Sequence, residues 1–170
     1  IRIATGVLVL PVWHPLRLAE EVAVLDNLCD GRFICGVGRG YQPHEMARFG
    51  IPMEETRDRF RETLEVLIKA WTEDTSFTYD GDYIKIESPT VVWPKPRQRP
   101  YPPLWTAGTS DDTIHAAAEH DMALFTTGFR GPQGMLGAST AWAHARRSLG
   151  KSVEGFQLGE VVEVFLHEVG

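Results

Sequence analysis

The residues best suited to chemistry in this sequence form a glycine-rich turn that carries one cation. Gly36, Gly38 and Gly40 alternate along the chain, and Arg39 lies between the last two. Glycine lets a ligand approach the backbone closely, and the planar fork of donors on arginine matches the oxygens of phosphate. The turn therefore predicts a site for a ligand with an anionic end, although glycines at the end of a strand also form ordinary turns.

Two further segments combine small residues with hydroxyl groups. Thr5-Gly6 interrupts an apolar run near the start, and Gly108-Thr109-Ser110 joins a buried-type strand to a helix on which Thr113 follows. The free N–H groups and hydroxyls at a helix N-terminus can bind a phosphate. Taken alone, however, Ser110 is more simply explained as the N-cap of that helix.

Other residues limit these interpretations. Arg39 could pair with Glu45 instead of a ligand, and Asp111 and Asp112 oppose an anion unless they point to solvent. The run GVGRGY lacks the third glycine of a dinucleotide fingerprint. The six histidines are scattered and show neither a catalytic triad nor metal spacing. The sequence therefore predicts no metal site and leaves the catalytic residues unknown.

The bulk properties exclude several partners. The 170 residues carry a net charge of -6 with a pI near 5.5, which argues against nucleic acid because phosphate backbones attract basic surfaces. No apolar run is long enough to span a bilayer, so no membrane partner is predicted. Cys29 and Cys35 lack metal spacing and are interpreted as structural thiols in a reducing cytoplasm.

The residues must be positioned by alternating strands and helices. Strands are predicted over residues 1–10, 32–37, 104–107, 122–126 and 156–167, and the first of them is expected to be buried on both faces. Helices are predicted over 16–28, 44–49, 54–71 and 138–149, and after the N-cap at Ser110. Apolar residues recur four and three positions apart on two of these helices and predict the buried faces, which are Leu18, Val22, Leu25 and Cys29 on the first and Phe60, Leu64, Leu67 and Trp71 on the third. On the helix after Ser110, the residues Ile114, Ala117 and Ala118 are expected to face inward. Asp80-Gly81 predicts a hairpin over 77–86. Residues 128–137 are rich in glycine and are predicted to be irregular and mobile.

This order of elements predicts an α/β fold with a parallel sheet and right-handed crossovers. An open doubly wound sheet and a segment of a barrel both fit it. In either fold, Thr5-Gly6, Gly38-Arg39-Gly40 and Gly108-Thr109-Ser110 would follow strands at the same carboxyl edge, where α/β proteins bind ligands.

With these residues in view, the sequence resembles the bacterial luciferase-like flavin-dependent monooxygenase superfamily. The resemblance is carried, in the family's order, by LPVWHPLRLAEEVAVLDNLCDGRFICGVGRGYQPHEMARFGIP, RFRETLEVLIKAW, TYDGDYIKI and PPLWTAGTS. It implies a partial (β/α)8 TIM barrel, with residues 1–170 as one barrel domain truncated at both ends and 76–87 as a β-hairpin insertion. A barrel lacking strands would expose sheet edges, so we expect this chain to be poorly soluble by itself.

The resemblance also implies a flavin, usually FMN, at the carboxyl face. Arg39 and Ser110 correspond to phosphate contacts, with Thr109 and Thr113 assisting and Gly108 in the same turn. Gly38 corresponds to the place where the flavin ring approaches the backbone, although a luciferase has a cysteine there. Thr5-Gly6 corresponds to a place where the family often has a non-proline cis peptide beside the ring.

The function implied by this resemblance is that of a flavin-dependent monooxygenase. Reduced FMN from a partner flavin reductase would react with O₂ to oxidise a small organic substrate, and superfamily members are commonly homodimers. Two alternatives remain open, a deazaflavin-dependent oxidoreductase of the same superfamily and a flavin-binding protein without turnover.

Overall fold

A computed structural model describes residues 1–108, 110–127, 131–154 and 158–161 of the chain. The chain divides into two compact units, Ile1–Pro103 and Leu104–Gly170. Parallel strands that alternate with helices occur in both units.

The first unit begins with three parallel strands. β1 (Ile3–Ala4) and β2 (Leu8–Val9) each pair with β3 (Phe33–Gly38). The single long strand predicted over residues 1–10, buried on both faces, is wrong: Thr5 to Val7 separate two short strands, and both residues of β1 are exposed. Among the described residues β1 pairs only with β3.

Two long helices supply about half of the buried hydrophobic residues of this unit. α1 (Pro15–Leu28) buries Leu18 and Val22, as its four-three spacing predicted. After the short α2 (Pro43–Arg48), α3 (Thr56–Thr72) buries Phe60, Leu64, Leu67 and Trp71, again as predicted. α1 and α3 pack together, and each large side chain buried there contributes roughly 1.5–3 kcal/mol.

A hairpin follows α3, as predicted. β4 (Phe77–Asp80) and β5 (Lys85–Thr90) pair antiparallel, and the second strand extends beyond the predicted end at residue 86. A buried carboxylate on α3 holds the turn between them: Glu62 accepts hydrogen bonds from the N–H groups of Asp82, Tyr83 and Ile84 at 2.9–3.0 Å. Hydrogen bonds to this buried carboxylate thus hold the turn against α3.

The described part of the second unit contains three parallel strands in chain order. β6 (Leu104–Ala107) pairs with β7 (Ala123–Thr127), and β7 pairs with β8 (Leu158–Val161). α4 (Asp111–Glu119) buries Ile114, Ala117 and Ala118, as predicted. β8 confirms part of the strand predicted over 156–167, of which 156–157 and 162–167 lie outside the described residues.

The last helix begins earlier than the sequence indicated. α5 (Gly131–Ser148) includes most of the stretch predicted to be irregular, whereas residues 128–130 lie outside the described residues. Glycine in a helix costs about 1 kcal/mol relative to alanine. Burial of Ala138 and Trp142 on one face gives the helix a packing energy that opposes this cost.

Candidate functional site

The first candidate segment is a bulge between β1 and β2. Ala4 pairs with Ile34 and Leu8 pairs with Val37, so the chain advances by four residues where β3 advances by three. The extra residue cannot enter the ladder and bends the chain locally. The predicted interruption at Thr5-Gly6 is therefore confirmed, and its cause is a mismatch in register.

Thr5 is bonded to β3 through its side chain. Its hydroxyl donates to the carbonyl oxygen of Gly36 and accepts from the N–H group of the same residue, with both distances 2.9 Å. The N–H group of Thr5 donates to Ile34 O at 3.3 Å. The polar groups of Thr5 thus hold the bulge against the sheet.

Gly6, the next residue, has open surroundings. It is exposed, and a Cβ atom built on it would meet no atom within 4 Å. The peptide bond between Gly6 and Val7 is cis and involves no proline. The resemblance associates such a bond with Thr5-Gly6, and the structure has it directly after this segment.

Gly38, at the end of β3, has the opposite surroundings. A Cβ atom on this buried residue would lie 2.6 Å from Val7 Cγ2. The close approach that requires glycine here is therefore made by a side chain of the fold. Val7 is the residue that inspection of the sequence missed, because nothing in a single sequence pairs residue 7 with residue 38.

The turn after β3 positions Arg39 and α2. Arg39 is half-buried, and Gly40 follows with φ +80°, in the left-handed region that favours glycine. A Cβ atom on Gly40 would lie 2.8 Å from Val9 Cγ1 and 2.9 Å from Met46 Cε. Packing around Gly40 thus fixes the direction in which the chain leaves Arg39.

In the second unit, the turn from β6 into α4 brings three predicted residues together. Gly108 has φ +130°, and a Cβ atom on it would lie 3.3 Å from Thr113 Oγ1. The hydroxyls of Ser110 and Thr113 hydrogen-bond each other at 2.9 Å, and Ser110 Oγ accepts from the Thr113 N–H group at 3.3 Å. The predicted N-cap is confirmed, while Thr109 lies outside the described residues.

The electrostatics of this turn allow an anion. The first N–H groups of a helix have no intrahelical acceptor and carry partial positive charge. Ser110 is exposed, as are Asp111 and Asp112. Because these carboxylates face solvent, water and salt screen their repulsion. The positive-φ glycine and the paired hydroxyls fit a phosphate group.

The predicted residues therefore fall into two sets. Thr5, Gly6, Gly38 and Arg39 belong to the β1–β3 region of the first unit, and Gly108, Ser110 and Thr113 surround the start of α4 in the second. Their roles toward a ligand stay predictions.

The thiols provide no nucleophile. Both cysteines are free and buried, and burial raises the pKa of Cys35 to about 12, which keeps its thiol protonated at neutral pH. Within the described part of the chain, no group of three or more His, Cys, Asp or Glu residues could hold a metal ion. Among the same residues, no helix has the length and apolarity required to cross a membrane.

Comparison with known proteins identifies a family and individual relatives. The family described as luciferase-like monooxygenase matches residues 1–168. An uncharacterized protein of Mycobacterium tuberculosis is 42% identical over 128 residues, which are 75% of this chain and 44% of that protein. The oxygenase component of the flavin-dependent trigonelline monooxygenase of Acinetobacter baylyi is 30% identical over 122 residues, 71% of this chain and 33% of that protein. The chain thus spans less than half the length of these curated relatives.

Solved structures show the same fold. The monooxygenase RslO1 from Streptomyces bottropensis has a TM-score of 0.85 at 27% identity, covering 100% of this chain and 52% of that one. An F420-dependent secondary alcohol dehydrogenase has a TM-score of 0.81 at 21% identity, covering 94% of this chain and 48% of that one. The predicted fold class, a partial (β/α)8 barrel of parallel strands and helices with a hairpin insertion, is confirmed.

Proposed function

Because the chain belongs to the luciferase-like monooxygenase family, we propose that the protein is a flavin-dependent monooxygenase that uses reduced FMN and O₂ to oxidise a small organic substrate. The observation that carries the proposal is the pair of exposed hydroxyls beside a positive-φ glycine at the start of α4. Support also comes from the relative in Acinetobacter baylyi, which is named as flavin-dependent.

In this proposal the start of α4 binds the phosphate of the flavin. Ser110 and Thr113 can turn their hydroxyls to donate to phosphate oxygens, and Thr109 is assigned to the same group. Free N–H groups and the helix dipole favour the negative charge. In the first unit, Arg39 is also proposed to bind phosphate, since guanidinium binds phosphate with paired N–H donors.

The flavin ring is assigned to the region of Gly6 and Gly38. Gly6 is exposed, and in the described part of the chain no atom beyond its two neighbours lies within 4 Å of a Cβ atom built on it. A planar ring can therefore approach the backbone there without displacing a side chain. Bound reduced FMN would supply the electrons that reduce O₂, with one oxygen atom passing to the substrate and the other to water. The chain's part is to bind and orient the flavin and to exclude water.

A deazaflavin is the second candidate cofactor. A protein of the same fold is an F420-dependent secondary alcohol dehydrogenase, and the start of α4 would suit the phosphate of either cofactor. The protein would then transfer hydride without using O₂. A flavin-binding protein without turnover is the third candidate, and substrate oxidation by the FMN-loaded protein would exclude it.

The partners proposed are a flavin reductase in the cytoplasm and a second copy of the chain. Val24, Leu28 and Trp93 are exposed apolar residues, and they line a groove of about 550 Å³ together with Arg17 and Glu21. A two-fold interface places the same patch on both sides, so the exposed apolar side chains of both copies would be brought together. Arg17 and Glu21 already pair with each other within one copy at 2.8 Å. Sedimentation of the purified protein over a range of concentrations tests the homodimer.

Titration of the purified protein with FMN and with F420 tests the proposed cofactor. We expect micromolar or tighter binding of FMN and a dissociation constant roughly tenfold or more higher for Arg39→Ala, because a charge-assisted hydrogen bond contributes about 1.5–3 kcal/mol. Ser110→Ala should weaken binding in the same direction.

The matched control is Arg61→Ala, which removes an exposed arginine of α3 and should leave FMN affinity unchanged. Equal affinities in Arg39→Ala and the unmodified protein would refute the phosphate role of Arg39. Tighter binding of F420 than of FMN would favour the second candidate.

A further inference from the structure

The bulge between β1 and β2 removes backbone partners from β3, and the side chain of Thr5 replaces them. The ladder pairs on either side of the bulge are Ala4 with Ile34 and Leu8 with Val37. Between them, both polar backbone groups of the buried Gly36 bond to the Thr5 hydroxyl, each at 2.9 Å. A threonine hydroxyl can donate one hydrogen bond and accept two, so both bonds can exist together.

The two neighbours of Gly6 are both fixed on β3. Thr5 is bonded to Gly36, and Val7 occupies the space at Gly38 that a Cβ atom would need. Gly6 itself is exposed and has no atom near its Cβ direction. The bulge thus exposes Gly6, while its neighbours Thr5 and Val7 contact β3.

From this arrangement we infer that Thr5 is a positioning residue, which acts on a flavin through Gly6 and does not contact the flavin itself. Both hydrogen bonds of its hydroxyl are made to Gly36, whose buried backbone groups would be costly to leave unpaired. Loss of the hydroxyl should release the bulge and let Gly6 move. This inference rests on the proposed flavin function and changes the role that the resemblance implies for Thr5.

The experiment compares Thr5→Val, which keeps the shape but removes the hydroxyl, with Thr5→Ser, which keeps the hydroxyl. Two quantities are measured, the dissociation constant for FMN and the rate of hydrogen exchange at the Gly36 amide. Thr5→Val should raise the dissociation constant about five- to tenfold, the effect of one or two net hydrogen bonds, and should accelerate Gly36 exchange. Thr5→Ser should leave both the dissociation constant and the exchange rate close to those of the unmodified protein.

Thr56→Val is the matched control. Thr56 is 1% exposed and its hydroxyl donates to Met53 O at 2.7 Å, so the variant also loses a hydroxyl hydrogen bond in the first unit. It should lower the melting temperature without changing FMN affinity or Gly36 exchange.

Two outcomes would overturn the inference. Faster Gly36 exchange with unchanged FMN affinity in Thr5→Val would make Thr5 a purely structural residue. Weaker FMN binding with unchanged exchange would make it a direct contact of the ligand. If the unmodified protein binds no FMN, the proposed function fails, and the exchange rate still decides whether Thr5 holds the bulge.

Discussion

Of two glycines beside the same bulge, only one should lose stability when it is replaced by alanine. At Gly38 a new Cβ atom would lie 2.6 Å from Val7 Cγ2 and 3.6 Å from Val7 Cβ, whereas at Gly6 it would meet nothing within 4 Å. Gly38→Ala should therefore destabilise the protein, and Gly6→Ala should leave its free energy of unfolding nearly unchanged.

The size of the Gly38 effect follows from the overlap. Overpacking by one methyl group typically costs about 1–3 kcal/mol. Val7 cannot relieve the contact easily, because a β-branched side chain is restricted at χ1. Val7→Ala in the Gly38→Ala background removes the clashing methyl, so the double variant should recover most of the loss. A coupling energy of roughly 1–2 kcal/mol between the two positions is expected.

Chemical denaturation of the unmodified protein, the two single variants and the double variant measures this coupling. Gly6→Ala, measured beside them, should change the free energy of unfolding by less than about 0.5 kcal/mol. Additive effects of Gly38→Ala and Val7→Ala would refute the reasoning, because the contact between the two positions would then carry no energy. A large loss of stability in Gly6→Ala would refute the open surroundings assigned to that residue.

Two further predictions concern buried groups. Glu62→Gln should lower the free energy of unfolding by about 1.5–3 kcal/mol, because the turn N–H groups lose a charged acceptor. In the control, Glu65→Gln, the replaced residue is exposed and accepts a hydrogen bond from the Tyr79 hydroxyl at 2.7 Å, and the free energy of unfolding measured by chemical denaturation should change by less than about 0.5 kcal/mol. Equal effects of the two substitutions would contradict the role of Glu62. Burial raises the pKa of Cys35 from 9.0 to about 12, so above pH 9 the thiol ionises only in the unfolded state and stability falls with rising pH. Between about pH 9 and about pH 10 this loss is about 1 kcal/mol. Cys35→Ala should lack that part of the pH dependence, and identical slopes for the two proteins would show the prediction to be wrong.

The elements that the sequence predicts well are those with local signals. The four-three spacing of Phe60, Leu64, Leu67 and Trp71 identifies the buried face of α3, because a helix repeats every 3.6 residues. The N-cap at Ser110 also depends on residues within one turn. These predictions are correct because the interactions involved lie close together in the chain.

Local sequence patterns do not predict contacts between residues that are far apart in the chain. Asp26 lies off the apolar stripe of α1 and yet is fully buried, where it accepts two hydrogen bonds from Gln98 at 2.7 and 2.8 Å. Glu62 reaches a turn about twenty residues away in the same manner. A charged residue is buried when distant partners satisfy it, and one sequence does not reveal which partners those are. The contact of Val7 with Gly38 was hidden for the same reason.

The same contacts decide which substitutions can test the proposed flavin site. Thr5 bonds to Gly36, Gly38 gives space to Val7, and Ser110 caps α4. Each of these residues is therefore required by the fold, and a loss of FMN affinity after substitution could follow from a change in local structure. Gly6 differs, because a Cβ atom added there meets no atom within 4 Å among the described residues beyond its two chain neighbours. A stable Gly6→Ala variant that binds FMN more weakly would therefore place the ligand beside Gly6, and a stable variant with unchanged affinity would remove the flavin ring from this position.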